Sequence, residues 1–148
     1  LKDPDYIKYP GVGYHQKVKE TTLTGAARRK AQLEELEFVK RLAAAPINKK
    51  CIENPVGQLS TLWKKPSQII QPYWFGEDAS KATCLWLENL PLLEKTNEVR
   101  GRLVAGKERW GNQTDSGQNN LSPGEDRWKE RSRTYKGIAA AFAEQWGK

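Results

Sequence analysis

Between residues 24 and 46 apolar side chains recur at Leu33, Leu36, Val39 and Ala43, the spacing of a helix with one apolar stripe. Thr24 can cap that helix, Glu37 and Arg41 stand one turn apart on its other face, and Pro46 stops it. The pattern predicts a helix from Thr24 to about Ala45. Ile47–Ile52 then reads as a short buried strand, ended by Glu53-Asn54-Pro55. Leu59–Lys65 suits a single helical turn before Pro66. Gln68–Phe75 and Lys81–Leu87 are two β-prone runs, and Gly76-Glu77-Asp78-Ala79-Ser80 between them fits a hairpin loop.

From Glu88 to Ser132 the chain is polar and rich in Asn, Gly, Gln and Pro, and it reads as one long loop. A C-terminal helix follows, with Ser132 or Thr134 as its cap and Gly147 as its stop. Ile138, Phe142 and Trp146 form its core-facing stripe. Residues 1–24, rich in Tyr, Pro, Gly and Lys, show no period and read as irregular. Helix, turn, then a strand with a polar end is the rhythm of an α/β sheet, so the fold expected is an α/β sandwich of one domain.

Composition narrows the partners. The 148 residues carry a formal net charge of +7, which favours polyanions through phosphate neutralisation and counterion release. No apolar run approaches the roughly 18 residues of a membrane helix, and no leader pattern opens the chain. Cys51 and Cys84 form no CxxC pair, so neither zinc nor a disulfide framework is indicated, and a reducing cytoplasm is the expected compartment. Both lie in apolar β-prone runs and read as structural thiols. His15 lies in the irregular stretch and receives no catalytic role. The sequence starts Leu1-Lys2-Asp3 and contains no Met, so it reads as a fragment.

Two places carry candidate chemistry. In open α/β sheets ligands bind beyond the carboxyl ends of the strands, where Glu53-Asn54-Pro55 is expected to lie. A glutamate there can accept from the exocyclic amine of cytosine and, if protonated, donate to N3. Near the C-terminus Arg127, Lys129, Arg131, Arg133 and Lys136 cluster about Trp128 and Tyr135. Guanidinium and ammonium groups hold phosphates, while the amides just upstream suit base edges.

Several longer blocks resemble phage and prophage DNA cytosine-C5 methyltransferases. They are Cys51–Gly57, Lys65–Gly76, Lys81–Leu87, Trp110–Thr114 with Ser116–Asn119, and Asp126–Tyr135 with Gly137–Ala139. The resemblance runs from about Gln32 to the end. It implies the C-terminal half of a class I, Rossmann-like three-layer sandwich, here with a β-hairpin and a C-terminal helix. The complete protein would transfer a methyl group from S-adenosylmethionine to C5 of a flipped cytosine in DNA.

In that family a cysteine thiolate adds to C6 while the glutamate of a Glu-Asn-Val motif binds and protonates N3. Glu53 and Asn54 match that motif, with Pro55 in place of Val. The segment from Phe75-Gly76 through Lys81-Ala82-Thr83 resembles the family's Phe-Gly-x-Pro-Gln-x-Arg-x-Arg strand. Lys81 would stand at its first arginine, and Thr83 at its second. A lysine there supplies a point charge without arginine's fork. The resemblance implies DNA contact by Lys81, Arg127, Lys129, Arg131 and Arg133. The Pro-Cys nucleophile and the Gly-rich cofactor turn have no counterpart here, and Gly11-Val12-Gly13 does not replace the turn. They would belong to a missing N-terminal half, and this chain alone is expected to be inactive. The alternatives are a noncatalytic nucleic-acid-binding module and a different base-modifying enzyme on the same scaffold.

Overall fold

The computed structural model of the chain describes residues 21–148, which fall into two compact units divided after Pro46. Most of the expected irregular segment 1–24, including His15 and Gly11-Val12-Gly13, lies outside the described residues. The first unit contributes helix α1, Gly25–Ala44. Thr24 occupies its cap position in extended backbone, but its hydroxyl makes no capping bond. Of the expected stripe, Leu36 is buried, Val39 and Ala43 are half-buried, and Leu33 is exposed.

The second unit, residues 47–148, begins with β1 (Lys50–Pro55), the one-turn helix α2 (Leu59–Leu62), β2 (Gln68–Ile70) and β3 (Thr83–Glu88). The strands form one sheet in the order β1-β3-β2, with both pairings antiparallel. β1 starts later than the predicted Ile47–Ile52 and runs on through Glu53-Asn54-Pro55, so the tripeptide belongs to the ladder and does not terminate it. The reason is pairing: Glu53, Asn54 and Pro55 stand opposite Leu85, Cys84 and Thr83 of the equally long β3. Pro55 is tolerated because β1 is an edge strand, where a missing N–H costs little.

β2 and β3 do pair as predicted, but the connection is longer than the five-residue loop. It spans residues 71–82 and includes a 3-10 turn at Pro72–Trp74. All strand pairs among the described residues are antiparallel, apart from one isolated parallel bridge between Phe75 and Asn97. The molecule is thus mixed α/β with small antiparallel sheets and a C-terminal helix. The parallel ladder of a Rossmann-like sandwich is not seen among the described residues.

Residues 88–132 are more ordered than their composition predicts. They hold the hairpin β4 (Arg102–Val104) and β5 (Lys107–Arg109), whose turn residues Ala105 and Gly106 both have positive φ, and the short helix α3 (Arg127–Ser132). Side-chain amides replace a backbone ladder here. Gln68 donates to the Leu93 carbonyl and accepts from the Leu93 N–H, at 2.8 and 2.9 Å. Asn112 makes the same two-way bond with Ser80, at 2.8 Å each way. Gln145 does so with Glu94, at 2.9 and 2.8 Å. Each pair satisfies an otherwise orphaned backbone donor and acceptor.

The C-terminal helix α4 spans Lys136–Trp146. Its cap is neither Ser132 nor Thr134: Tyr135 takes the cap position, and Ser132 instead bonds the Lys129 carbonyl within α3. The orphan N–H of Gly137 donates to the Glu77 carboxylate at 2.9 Å, a negative group well placed at a helix N-terminus. Ile138 and Ala141 bury against Ile70, Phe75, Leu85 and Leu93 on one face of the sheet, with Phe142 and Trp146 packed at its rim. On the other face Trp86 meets Trp63, ring centroids 5.8 Å apart, and donates to the Lys64 carbonyl. The central strand β3 is therefore covered on both sides.

Candidate functional site

Residues directly opposite on antiparallel strands share a face, so Cys51, Glu53, Leu85 and Leu87 all lie on the face that α4 covers. Cys51 packs against the core there. Glu53 sits two residues further along the edge strand, where the helix no longer covers it, and is exposed. Burial, and then the nearby Glu53 charge, push the Cys51 thiol up to about 11. Cys51 is therefore a protonated packing residue and no nucleophile at neutral pH.

Beside Glu53 lies an open cleft of about 560 Å³, lined by Glu53, Val56, Lys81, Trp128, Arg131 and Ser132, among others. Three segments far apart in sequence build it. β1 brings Glu53. The 81–82 segment is drawn alongside the end of β1 by a bond from the Val56 N–H to the Ala82 carbonyl. α3 brings Trp128 and Arg131. Lys81 ties the last two together: its Nζ donates to the Arg131 carbonyl at 2.8 Å, and its own N–H donates to the Gln71 amide oxygen at 2.9 Å.

On the other side of Lys81 and Arg131 is a second cleft of about 570 Å³, which both residues also line. Arg133, Lys136, Asn119 and Asn120 are among its other walls. Its carboxylates are already engaged, Glu77 by the α4 N-terminus and Glu130 by Arg133 at 3.3 Å. Tyr135, also on this wall, has its phenol pushed up by burial and by the Glu77 charge, and so remains a neutral donor. The two clefts share Lys81 and Arg131 in their walls, where cations outnumber the carboxylates Glu53, Glu77 and Glu130. Charge-assisted bonds to phosphate oxygens and amide contacts to base edges are the chemistry such a surface offers.

The structure thus brings Glu53, Lys81, Arg131 and Arg133 to adjoining clefts. Asn54 points to the opposite face of β1 and donates to the Pro55 carbonyl at 3.2 Å, so it lines neither cleft. Arg127 and Lys129 also line neither. Arg127 has its Nε buried without a partner, and Lys129 is held by Asp126 at 2.7 Å. Thr83, expected from the resemblance at an arginine position, is buried and bonds the Lys81 carbonyl at 3.0 Å. The sequence sets Trp128 within the basic cluster and amides just upstream, but nothing local shows that Trp128, Asn119 and Asn120 line these clefts. Trp128 did leave a signal, since the residues three and four positions away, Gly124, Glu125, Arg131 and Ser132, include no large apolar partner to bury it.

No helix among the described residues is long and apolar enough to cross a membrane. No family model, curated protein or solved structure matches the chain.

Proposed function

We propose that this chain supplies the DNA-binding, cytosine-reading part of a DNA (cytosine-5-)-methyltransferase of the phage and prophage type. The observation that carries the reading is the cleft joining Glu53 to Lys81 and Arg131. A carboxylate that can accept from the amine of cytosine stands beside two cations suited to the flanking phosphates. The sheet supports the wider reading too. β1 and β2 both run antiparallel to β3 and hence parallel to each other, and the outer edge of β1 has no strand beside it among the described residues. Parallel α/β sheets often carry one antiparallel strand near an edge, so a Rossmann-like sheet would continue outward from β1.

The described residues do not fit S-adenosylmethionine. A nucleotide-like cofactor needs a Gly-rich turn leading into a helix N-terminus beyond a strand. β1 is followed by Gly57 and then by α2, which has four residues and cannot present one. Cofactor and nucleophile are therefore assigned to the part of the enzyme that completes this chain. By itself the chain is a binding module, so incubation with labelled S-adenosylmethionine and cytosine-containing DNA should leave the DNA unlabelled. Labelling above a protein-free control would show that the catalytic parts are present after all.

Binding itself should be salt-sensitive. Replacing Arg131 and Arg133 together with Ala removes two phosphate-holding groups and should flatten the plot of log affinity against log salt by up to about two units. The Arg133–Glu130 pair does not blunt this expectation, because both side chains are exposed and such pairs are weak. Fluorescence anisotropy with a labelled oligonucleotide over a salt series measures the slope. A slope identical to that of the parent chain would remove this surface from DNA binding.

A further inference from the structure

Trp128 is 66% exposed although it is the largest apolar side chain of α3. Nothing in the sequence of α3 explains the exposure, since its other residues are all polar or charged and offer no apolar surface to share. The ring lines the same cleft as Glu53, Lys81 and Arg131. Lys129 holds its ammonium 5.8 Å from the ring centroid, within cation–π reach, and Asp126 holds Lys129 in turn. The indole therefore lies among the cations Lys81, Lys129 and Arg131 with most of its surface open to solvent. An aromatic face flanked by cations is the arrangement by which proteins hold single-stranded nucleic acid: each base offers a π-face and its phosphate a charge.

We infer that Trp128 is a stacking platform for one unpaired DNA base, held with its flanking phosphate on Lys81 and Arg131 and its amino edge toward Glu53. This rests on the DNA-binding reading above and adds the form of DNA that the cleft takes. Paired bases inside a duplex have both faces occupied by their neighbours and cannot lie on the indole. A carboxylate placed at the 4-position of the base, as the inference sets Glu53, accepts from the amine of cytosine but meets the acceptor O4 of thymine. The cleft should therefore prefer unpaired cytosine tracts over thymine tracts, and both over a fully paired duplex.

The test compares the parent chain with Trp128→Ala and Trp128→Phe, using end-labelled oligo-dC, oligo-dT and a fully paired duplex. Thermal unfolding of each variant is recorded alongside, and an exposed side chain on a six-residue helix should leave the midpoint unchanged. Trp128→Ala should weaken oligo-dC binding by roughly 5- to 100-fold, and Trp128→Phe should recover most of it. The salt slope should stay that of the parent, because no charge is removed. Duplex binding should change little. DNA binding that persists undiminished in Trp128→Ala, or falls equally for duplex and single strand, overturns the platform and leaves the DNA-binding reading standing. Absence of DNA binding by the parent chain overturns that reading itself.

Discussion

Gly137→Ala should cost the fold more than about 3 kcal/mol, seen as a fall of roughly 10 °C or more in the thermal midpoint. Helix propensity alone predicts the opposite sign. Gly137 is the second residue of α4, and Ala in a helix is favoured over Gly by about 0.5–1 kcal/mol. A Cβ at Gly137, however, would lie 1.8 Å from the Phe75 carbonyl oxygen and 2.9 Å from its carbon. That backbone has little room to retreat. Phe75 is 3% exposed, its N–H bonds the Pro72 carbonyl, and the next N–H bonds the Asn97 carbonyl. The helix must lift instead, which strains the bond from Gly137 to Glu77 and uncovers Ile138 and Ala141. Gly124→Ala is the comparison, since a Cβ there meets nothing within 4 Å and should change stability by no more than about 0.5 kcal/mol. Denaturant or thermal unfolding of both variants decides the matter. A Gly137→Ala chain as stable as its parent would show that α4 does not depend on this close approach.

If the chain serves the methyltransferase proposed above, Glu53→Gln in that enzyme should lower turnover by roughly two to four orders of magnitude. The proposed work of Glu53 is to bind the Watson–Crick edge of the cytosine and to donate a proton to N3 as the ring is attacked. Glutamine keeps the size and a hydrogen-bonding head but has no acid proton. Stability should move by no more than about 0.5 kcal/mol, because Glu53 is exposed on an edge strand and leaves no buried charge behind. Asn54→Ala belongs in the same experiment. The Asn54 side chain faces away from the cleft and donates to the Pro55 carbonyl of its own strand, so its loss should affect turnover far less than the loss of Glu53. Near-parental turnover by Glu53→Gln would take the carboxylate out of the reaction. A collapsed midpoint would make it a structural residue.

Much of the local architecture could be read from the chain. Strong periodicity located α1 and α4, because a helical stripe needs only local spacing to be seen, and the Ile138–Phe142–Trp146 stripe does meet the core. The end of β1 was misplaced because Glu53-Asn54-Pro55 has the polar, Pro-containing look of a turn. It stays in the strand because Leu85, Cys84 and Thr83 of β3 stand opposite its three residues. The hairpin was foreseen but its loop was not, since nothing local shows that residues 71–82 are held by Gln71 and Asn112. The region 88–132 looked structureless for the same reason. Beyond its short hairpin and α3, its order comes from amide and backbone bonds to residues some 20 or more positions away, and such bonds leave no period.

Of the candidate site, the sequence by itself determined the residue types: a carboxylate after an apolar run, and a basic cluster around Trp128 close to the C-terminus. It also determined the net charge of +7, which depends on composition and not on folding. Tertiary structure decided which of those residues meet. Alternation along β1 sends Glu53 toward the cleft and Asn54 to the opposite face. The bond from Lys81 to the Arg131 carbonyl fixes the end of α3 beside the strand, so Arg131 and Trp128 line the cleft while Arg127 and Lys129 do not. The physical reason is reach. A residue's chemistry travels with its side chain, but convergence requires contacts across some 50 positions of chain, here |i−j| = 50 for Lys81 and Arg131, and only the folded sheet and its connections bring those positions within hydrogen-bond distance.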